Sequence, residues 1–255
     1  MLDSGYFRHP DLAKKVVSEH DCGDDDGRAN PLGVHGTHVA GIVGAATDNG
    51  RGVAGLAPEA DLFVGQVFTP GGGLRAENVV QCGDLAMKRG VKVINISLGF
   101  DGDGPLRLLR EAVRRWKAHG INVVAAAGNH ASPPDGYLGG PIYPAAFDGV
   151  IGVAATTEAG GSWPYSSAGP WVDVAAPGAA ILSTSFEGGD PTYSNISGSS
   201  QAAPHVAGAL ACARANGKNR IEARRGLFES ARDRGPPGRD EYFGRGALDM
   251  PGPVR

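Results

Sequence analysis

No apolar stretch in the 255 residues approaches the ~20 that a membrane-crossing helix needs. Cysteine is scarce. Cys22, Cys82 and Cys212 are odd in number, far apart and without paired spacing, so neither a disulfide framework nor a cysteine-based zinc site is expected. Cys82 and Cys212 fall within apolar helical patterns and read as small core residues. Nor is there an excess of charge: 24 basic against 27 acidic residues leave −3, which gives no reason to expect a nucleic-acid partner. A secretory leader is not legible either, because Met1 is followed almost at once by Asp3-Ser4-Gly5.

What is abundant is glycine (41) and proline (18), spread along the chain as tight turns require. The length allows a substantial core, and no internal repeat or long linker divides it, so a single domain over 1–255 is expected. Near-continuous apolar runs at 61–68, 91–98, 121–127 and 149–155 predict strands of a sheet covered on both faces. Residues 105–119 predict a helix. Leu106, Leu109, Val113 and Trp116 recur at spacings of three and four, Pro105 suits its first turn and Gly120 its stop. Residues 75–89 predict a second. Strand–helix–strand alternation implies an α/β, three-layer fold with a mostly parallel sheet and helices on both faces. Active sites of such sheets gather at the carboxyl ends of the strands.

Four segments carry chemistry-bearing residues. In Gly198-Ser199-Ser200-Gln201-Ala202-Ala203-Pro204-His205, small residues let the backbone turn into a helix whose first turn begins near Ser200. A serine there exposes its hydroxyl, and its N–H is one of the unpaired amides of a helix start, able to stabilise an oxyanion. The alternative is that Ser199 or Ser200 is only an N-cap. His35-Gly36-Thr37-His38 opens a small-residue helix; the two histidines invite a zinc reading, but no Cys, Asp or Glu nearby completes a ligand set. His38 reads better as a buried, hydrogen-bonded residue. Asp3-Ser4-Gly5 taken alone is a turn. Ala127-Gly128-Asn129 ends a core strand in an amide, either a turn former or a neutral donor for a tetrahedral oxygen.

Together these segments resemble the subtilisin-like (subtilase) serine peptidases. The order Asp–His–Ser is that family's order. HGTHVAG and GSSQAAPHVAG are similar to its histidine and serine signatures. The likeness runs on through Asp11-Leu12, Val53–Pro58, Asn95–Gly99, Tyr143–Ala145, Ala175–Gly178 and Tyr242–Asp249, near which the domain is expected to end. The resemblance implies a serine endopeptidase acting on polypeptides, with Ser200 as nucleophile, His35 as base, Asp3 as its orienting carboxylate and Asn129 in the oxyanion hole. It also implies that Ser97, Leu98 and Gly99 pair with an extended substrate, that Ala127 and Gly128 wall the pocket for the residue before the scissile bond, and that Ile142 lies near its floor. Such a pocket is apolar and shallow. Asp11, Asp48 and Asn49 match a calcium-binding segment of the family, and Asp24-Asp25-Asp26 is read as a solvated loop with a second calcium site as the alternative. A monomer with no nucleic-acid or membrane partner, secreted in its intact form, completes the expectation.

The sequence departs from the family at two places. Gln201 stands where a methionine is usual. Only Met1 and Leu2 precede Asp3, where the family has a full interior strand, so the chain is expected to be N-terminally truncated, and a catalytically silent remnant that at most binds extended peptides is the alternative reading.

Overall fold

The computed structural model describes residues 1–24, 27–102, 106–132, 136 and 138–248. In chain order it contains β1 (Leu2–Asp3), β2 (Val16–Asp21), α1 (His35–Gly44), β3 (Leu62–Gln66), α2 (Ala76–Lys88), β4 (Val93–Ile96) and β5 (Phe100–Asp101). There follow α3 (Arg107–Ala118), β6 (Asn122–Ala126), β7 (Ile142–Tyr143), β8 (Ile151–Thr156), β9 (Val174–Pro177), β10 (Ile181–Glu187), β11 (Asp190–Ile196), α4 (Ser199–Ala215) and α5 (Arg220–Ser230). Seven strands form one parallel sheet in the order β2-β3-β1-β4-β6-β8-β9. The four predicted strands are present, three trimmed at both ends and the fourth shifted to Ile151–Thr156, as are both predicted helices; Pro105 and Asp249 lie outside the described residues.

Alternation along the strands sorts the core into layers. In β6, Val123 and Ala125 pack into the cluster of α2 and α3, while Val124 and Ala126 pack into that of α4 and α5. In β3, Phe63 faces α2 and Val64 faces α1. The apolar stripe of α3 is buried as its spacing predicts, with Leu109, Val113 and Trp116 almost wholly inaccessible. Trp116 lies over Gly83 of α2, where a Cβ would stand 2.0 Å from the indole, and its N–H donates to Asp84 Oδ1 at 2.7 Å. The α/β, three-layer architecture is therefore the one the alternation implied.

The strand that ends at Asp3 consists of two residues, and it lies inside the sheet. Leu2 pairs with Gly65 on one side and Ile96 on the other, and is fully buried. The Met1 amino group donates to Phe63 O at 2.7 Å; burial lowers its pKa to about 5 against the opposing charge of Asp3.

Two cysteine expectations are corrected. Cys22 and Cys82 form a disulfide, with Cα atoms 5.9 Å apart across 60 residues of sequence. An odd count does not prevent one bridge and one free thiol; what joins these two is tertiary, since Cys22 follows β2 and Cys82 lies on the sheet-facing side of α2, over Gly65 of β3. Cys212 is exposed rather than a core residue, its Sγ 3.4 Å from Leu56 O. The apolar pattern of α4 is broad enough to include that position without burying it.

Candidate active site

Asp3 ends β1, Ser97 follows β4 and Asn129 follows β6, so three groups meet at the carboxyl edge of the sheet. The other two come from helix starts, His35 as the first residue of α1 and Ser200 as the second of α4. Gly36 allows α1 to approach the Asp3 segment: a Cβ there would stand 2.0 Å from Gly5 O. Ser4 Oγ accepts from the Gly36 N–H, and Asp3 Oδ1 accepts from its neighbour's amide, Ser4 N, at 2.8 Å. The same Oδ1 meets His35 Nδ1 at 2.7 Å. The Asp3 side chain is 1% exposed and the His35 side chain 37%, so the carboxylate is enclosed while the imidazole reaches the surface. Burial pulls the His35 pKa down, but the Asp3 charge and hydrogen bond outweigh it and hold it above the ordinary 6.5. A hydrogen bond from Nδ1 to Asp3 leaves Nε2 as the free basic nitrogen.

His38, one turn along, serves the scaffold. Its Nε2 lies 2.9 Å from Ile181 O and 3.0 Å from Ser194 O in the β10–β11 hairpin, and burial lowers its pKa. That ring nitrogen is thus held by backbone carbonyls.

Ser200 and Ser97 hold one another. Ser200 Oγ donates to Ser97 O at 3.0 Å, and Ser97 Oγ donates to Ser200 O at 2.8 Å. Asn95 Nδ2 in turn donates to Ser97 Oγ at 2.9 Å. This chain of three fixes the start of α4 against the end of β4. In this rotamer the Ser200 hydroxyl is turned to Ser97, and no hydrogen bond links it to His35 among the described residues. Such contacts are commonly looser before substrate binds. The N-cap alternative does not hold: Gly198 is the capping residue, and both serines lie inside the first turn with their hydroxyls bonded elsewhere.

Ser199 has a role that the sequence did not indicate. Its N–H and Oγ both donate to Asn129 Oδ1, at 2.8 and 2.9 Å, while the Gly128 N–H donates to its Oγ. With Oδ1 so held, Asn129 has its Nδ2 as the outward donor. A Cβ on Gly198 would stand 3.1 Å from Asn129 Nδ2 and 3.6 Å from Ser200 N, so both donors border one small space beside the Gly198 backbone. Gln201 borders it too, and its side chain is buried.

The residues expected to bind substrate are also together. No other strand pairs with Ser97-Leu98-Gly99 among the described residues. Ala127 is buried, its carbonyl accepting from Trp171 Nε1. The Ile142 side chain stands between the two glycine walls: a Cβ on Gly99 would be 2.2 Å from its Cγ2 and one on Gly128 2.6 Å from its Cγ1. Across the rim, His130 Nδ1 and Asp101 Oδ1 are 3.2 Å apart.

Of the residues matched to a calcium segment, Asp11 and Asn49 meet. Asp11 is fully buried; Oδ1 accepts from Asn49 Nδ2 at 2.9 Å and Oδ2 from the Tyr193 hydroxyl at 2.7 Å. Calcium takes oxygen ligands, but both Asp11 oxygens are engaged, Asn49 turns its Nδ2 to the carboxylate and its Oδ1 accepts from the Arg51 N–H, so the pair as placed does not fit the ion. Asp48 is the third residue of that set. It is exposed, with a left-handed backbone (φ +56°), and no hydrogen bond joins it to Asp11 among the described residues. No group of three or more His, Cys, Asp or Glu placed to hold a metal occurs among the described residues. Asp25 and Asp26 lie outside those residues; Asp24 donates its N–H to Asp21 Oδ1.

A serine at the start of a buried helix, a carboxylate-bound histidine and an aligned amide, all at the edge of a parallel sheet, define a candidate acyl-transfer site. The family model described as "Subtilase family" matches residues 1–246, and the chain belongs to that family. It is 37% identical over 232 residues to the "Thermophilic serine proteinase" of Bacillus sp. (strain AK1), covering 91% of this chain and 55% of the relative. It is 34% identical over 256 residues to the "Minor extracellular protease Epr" of Bacillus subtilis, covering 97% of this chain and 37% of the relative. The chain thus spans about half or less of the length of these two. A solved protease from Pseudoalteromonas arctica superimposes with a TM-score of 0.85 at 29% identity, over 97% of this chain and 86% of that one. Other relatives have "intracellular" in their names. No helix among the described residues is long and apolar enough to cross a membrane.

Proposed function

We propose that the chain is a serine endopeptidase that hydrolyses peptide bonds through an acyl-enzyme. The observation that carries the reading is the 2.7 Å contact between the enclosed Asp3 carboxylate and His35 Nδ1. Ser200 Oγ rotates from Ser97 O toward His35 Nε2 and attacks the peptide carbonyl while Nε2 takes its proton. Asp3 stabilises the imidazolium. The tetrahedral oxygen is bound by Asn129 Nδ2 and the Ser200 N–H. His35 then returns the proton to the leaving amine, and water cleaves the ester by the same steps in reverse order.

An extended substrate pairs with Ser97-Leu98-Gly99 in this reading, and its side chain before the scissile bond enters between Ala127-Gly128 and Gly99. Ile142 occupies the space between those walls, so small or medium uncharged side chains are favoured there. A structural calcium of the kind the resemblance implies would need Asn49 to turn its oxygen toward Asp11 and the Tyr193 hydroxyl to release Oδ2. One catalytic domain, a monomeric state and secretion complete the proposal; the last is supported by the word extracellular in a relative's name.

The test is digestion of a diverse peptide library with product sequencing by mass spectrometry, beside a Ser200→Ala control. Cleavage after small or medium uncharged residues, lost in the control, is expected. Cleavage mainly after Arg or Lys contradicts the pocket assignment. Binding of peptides without cleavage, equal in both proteins, contradicts the peptidase reading.

A further inference from the structure

A groove of about 380 Å³ lies at the edge of the sheet opposite the acyl-transfer site. It is lined by Ile221, Arg224, Arg225, Phe228 and Glu229 of α5 and by Arg245. The Arg245 N–H donates to Asp173 O, immediately before β9, and Arg224 stands 3.9 Å from the Asp173 carboxylate. The first residue of α5 is fixed at the same edge, its carbonyl accepting from Asn122 Nδ2 at the start of β6. The groove therefore belongs to the amino ends of the strands, and Ser200 to their carboxyl ends.

Its positive charge has few partners. The Arg224 and Arg245 guanidinium carbons lie over the Phe228 ring, 4.9 and 5.1 Å from its centroid. Such stacking holds a planar cation while leaving its N–H edge free to meet a pair of oxygens. Among the described residues, none of the side chains of Arg224, Arg225 and Arg245 donates a hydrogen bond. Arg224 Nε is inaccessible to water and unpartnered, and the same side chain reaches Asp173 Oδ2 only at 3.9 Å. Nearby acids do not balance the three. Glu222, on the same helix, is turned to the Asn219 N–H of the capping box, and Asp173 is shared with Arg239 at 3.6 Å. Glu229 is the single acid among the lining residues. Beside this charge Ile221 is 56% exposed, so an apolar surface adjoins the cationic one.

We propose that this groove docks a short acidic segment of another polypeptide. Carboxylates spaced along an extended chain meet the arginine forks as bidentate acceptors, and an apolar side chain between them covers Ile221. Glu229 on the rim repels a continuous polyanion, so separated carboxylates suit the groove better than a nucleic-acid backbone. Docking and hydrolysis then use opposite edges of one sheet. The proposal stands apart from the peptidase reading, because no group of the acyl-transfer site takes part.

The test is fluorescence anisotropy of a labelled peptide that alternates glutamate with leucine, titrated with the Ser200→Ala chain so that no peptide is cut. Saturable binding is expected, weakened about tenfold by Arg225→Glu or Arg245→Glu. Arg245→Lys, which keeps the charge but not the fork, weakens it about threefold. Lys88→Glu, the same change of charge on the exposed end of α2, leaves it within about twofold. Urea unfolding is followed for each variant; Arg225 is exposed, so Arg225→Glu remains a fair probe if Arg245→Glu shifts the midpoint. Absence of saturable binding, or equal weakening by Lys88→Glu, overturns the proposal. Inorganic phosphate that competes at the peptide's own concentrations overturns it as well, by marking a simple anion site. So does an oligonucleotide that binds equally well, which marks general affinity for polyanions. A dimer in sedimentation that Arg225→Glu dissociates makes the groove a contact between copies and likewise overturns it.

Discussion

Helices α2 and α3 cover one face of the sheet and α1 and α4 the other, and the two pairs solve different problems. The outer-facing α3 is amphipathic: Leu109, Ala112, Val113 and Trp116 are buried while its arginines reach water. By contrast, α1 is buried from Gly36 to Gly44, and α4 is buried along most of its first three turns. Their residues are small because neighbouring side chains are close; a Cβ on Gly41 would stand 2.3 Å from Thr184 Oγ1. Large side chains make α3 a source of stability. Close packing makes α1 and α4 rigid mounts whose first turns present His35 and Ser200.

If this division is right, substitutions on the two sides separate activity from stability. The largest effect is expected for Asp3→Asn, about 10⁴-fold in turnover with the fold retained, since it leaves His35 in the wrong tautomer. The same variant tests a pH claim. His35 acts as a base only when neutral, and its pKa is held above 6.5, so the acid limb of kcat/KM lies above that value. Asp3→Asn moves the limb to lower pH; a limb that stays in place would detach Asp3 from His35. Next comes Asn129→Ala, with a loss of roughly 10²–10³ in turnover, a magnitude that belongs to subtilisin itself and is carried over to this chain.

Leu109→Ala on α3 inverts the pattern. Equilibrium urea unfolding is expected to show a loss of about 2–5 kcal/mol, while kcat at permissive temperature stays within twofold or so. Loss of both together would break the comparison. A smaller effect comes from α4. Burial pushes the His205 pKa down to about 4 from 6.5, the hydrogen bond to Gln201 O opposing. The folded state thus excludes a proton that the unfolded chain takes up, so stability is complete above about pH 6.5 and falls as pH drops toward 4, by roughly 3 kcal/mol. Asp21, raised to about 6 mainly by burial, works in the opposite sense between 4 and 6 and offsets part of this. Unfolding free energies of His205→Gln between pH 4 and 8 isolate the histidine: relative to the unaltered chain the variant should gain stability as pH falls from 6.5 toward 4, and a difference that stays constant with pH would contradict the assignment.

The same contrast explains what could be read without coordinates. Periodicity located α3 and α2 because a half-exposed helix has a polar face to mark it. It is silent on α1 and α4, which were legible only through HGTHVAG and GSSQAAPHVAG. Sites followed the same rule. Asp3, His35, Asn129 and Ser200 stand in recognisable strings, and the structure brings Asp3 to His35 and Asn129 beside Ser200. Ser199 and Asn95 act through hydrogen bonds 70 and 2 residues distant, whose geometry no spacing reveals. The Cys22–Cys82 bridge depends on β2 lying next to β3 beneath α2, a fact of topology and not of cysteine count. Asp48 shows the converse: the string matched, but its exposure and left-handed backbone are not legible from spacing.

The most direct test is chemical. The purified chain is treated with a fluorophosphonate, which labels only a serine activated by a base, and the adduct is located by mass spectrometry beside Ser200→Ala. Stoichiometric labelling at Ser200 alone, absent from the control and weakened in Asp3→Asn, is predicted. A folded chain that takes no label at Ser200, or labels equally after the substitution, would contradict the account.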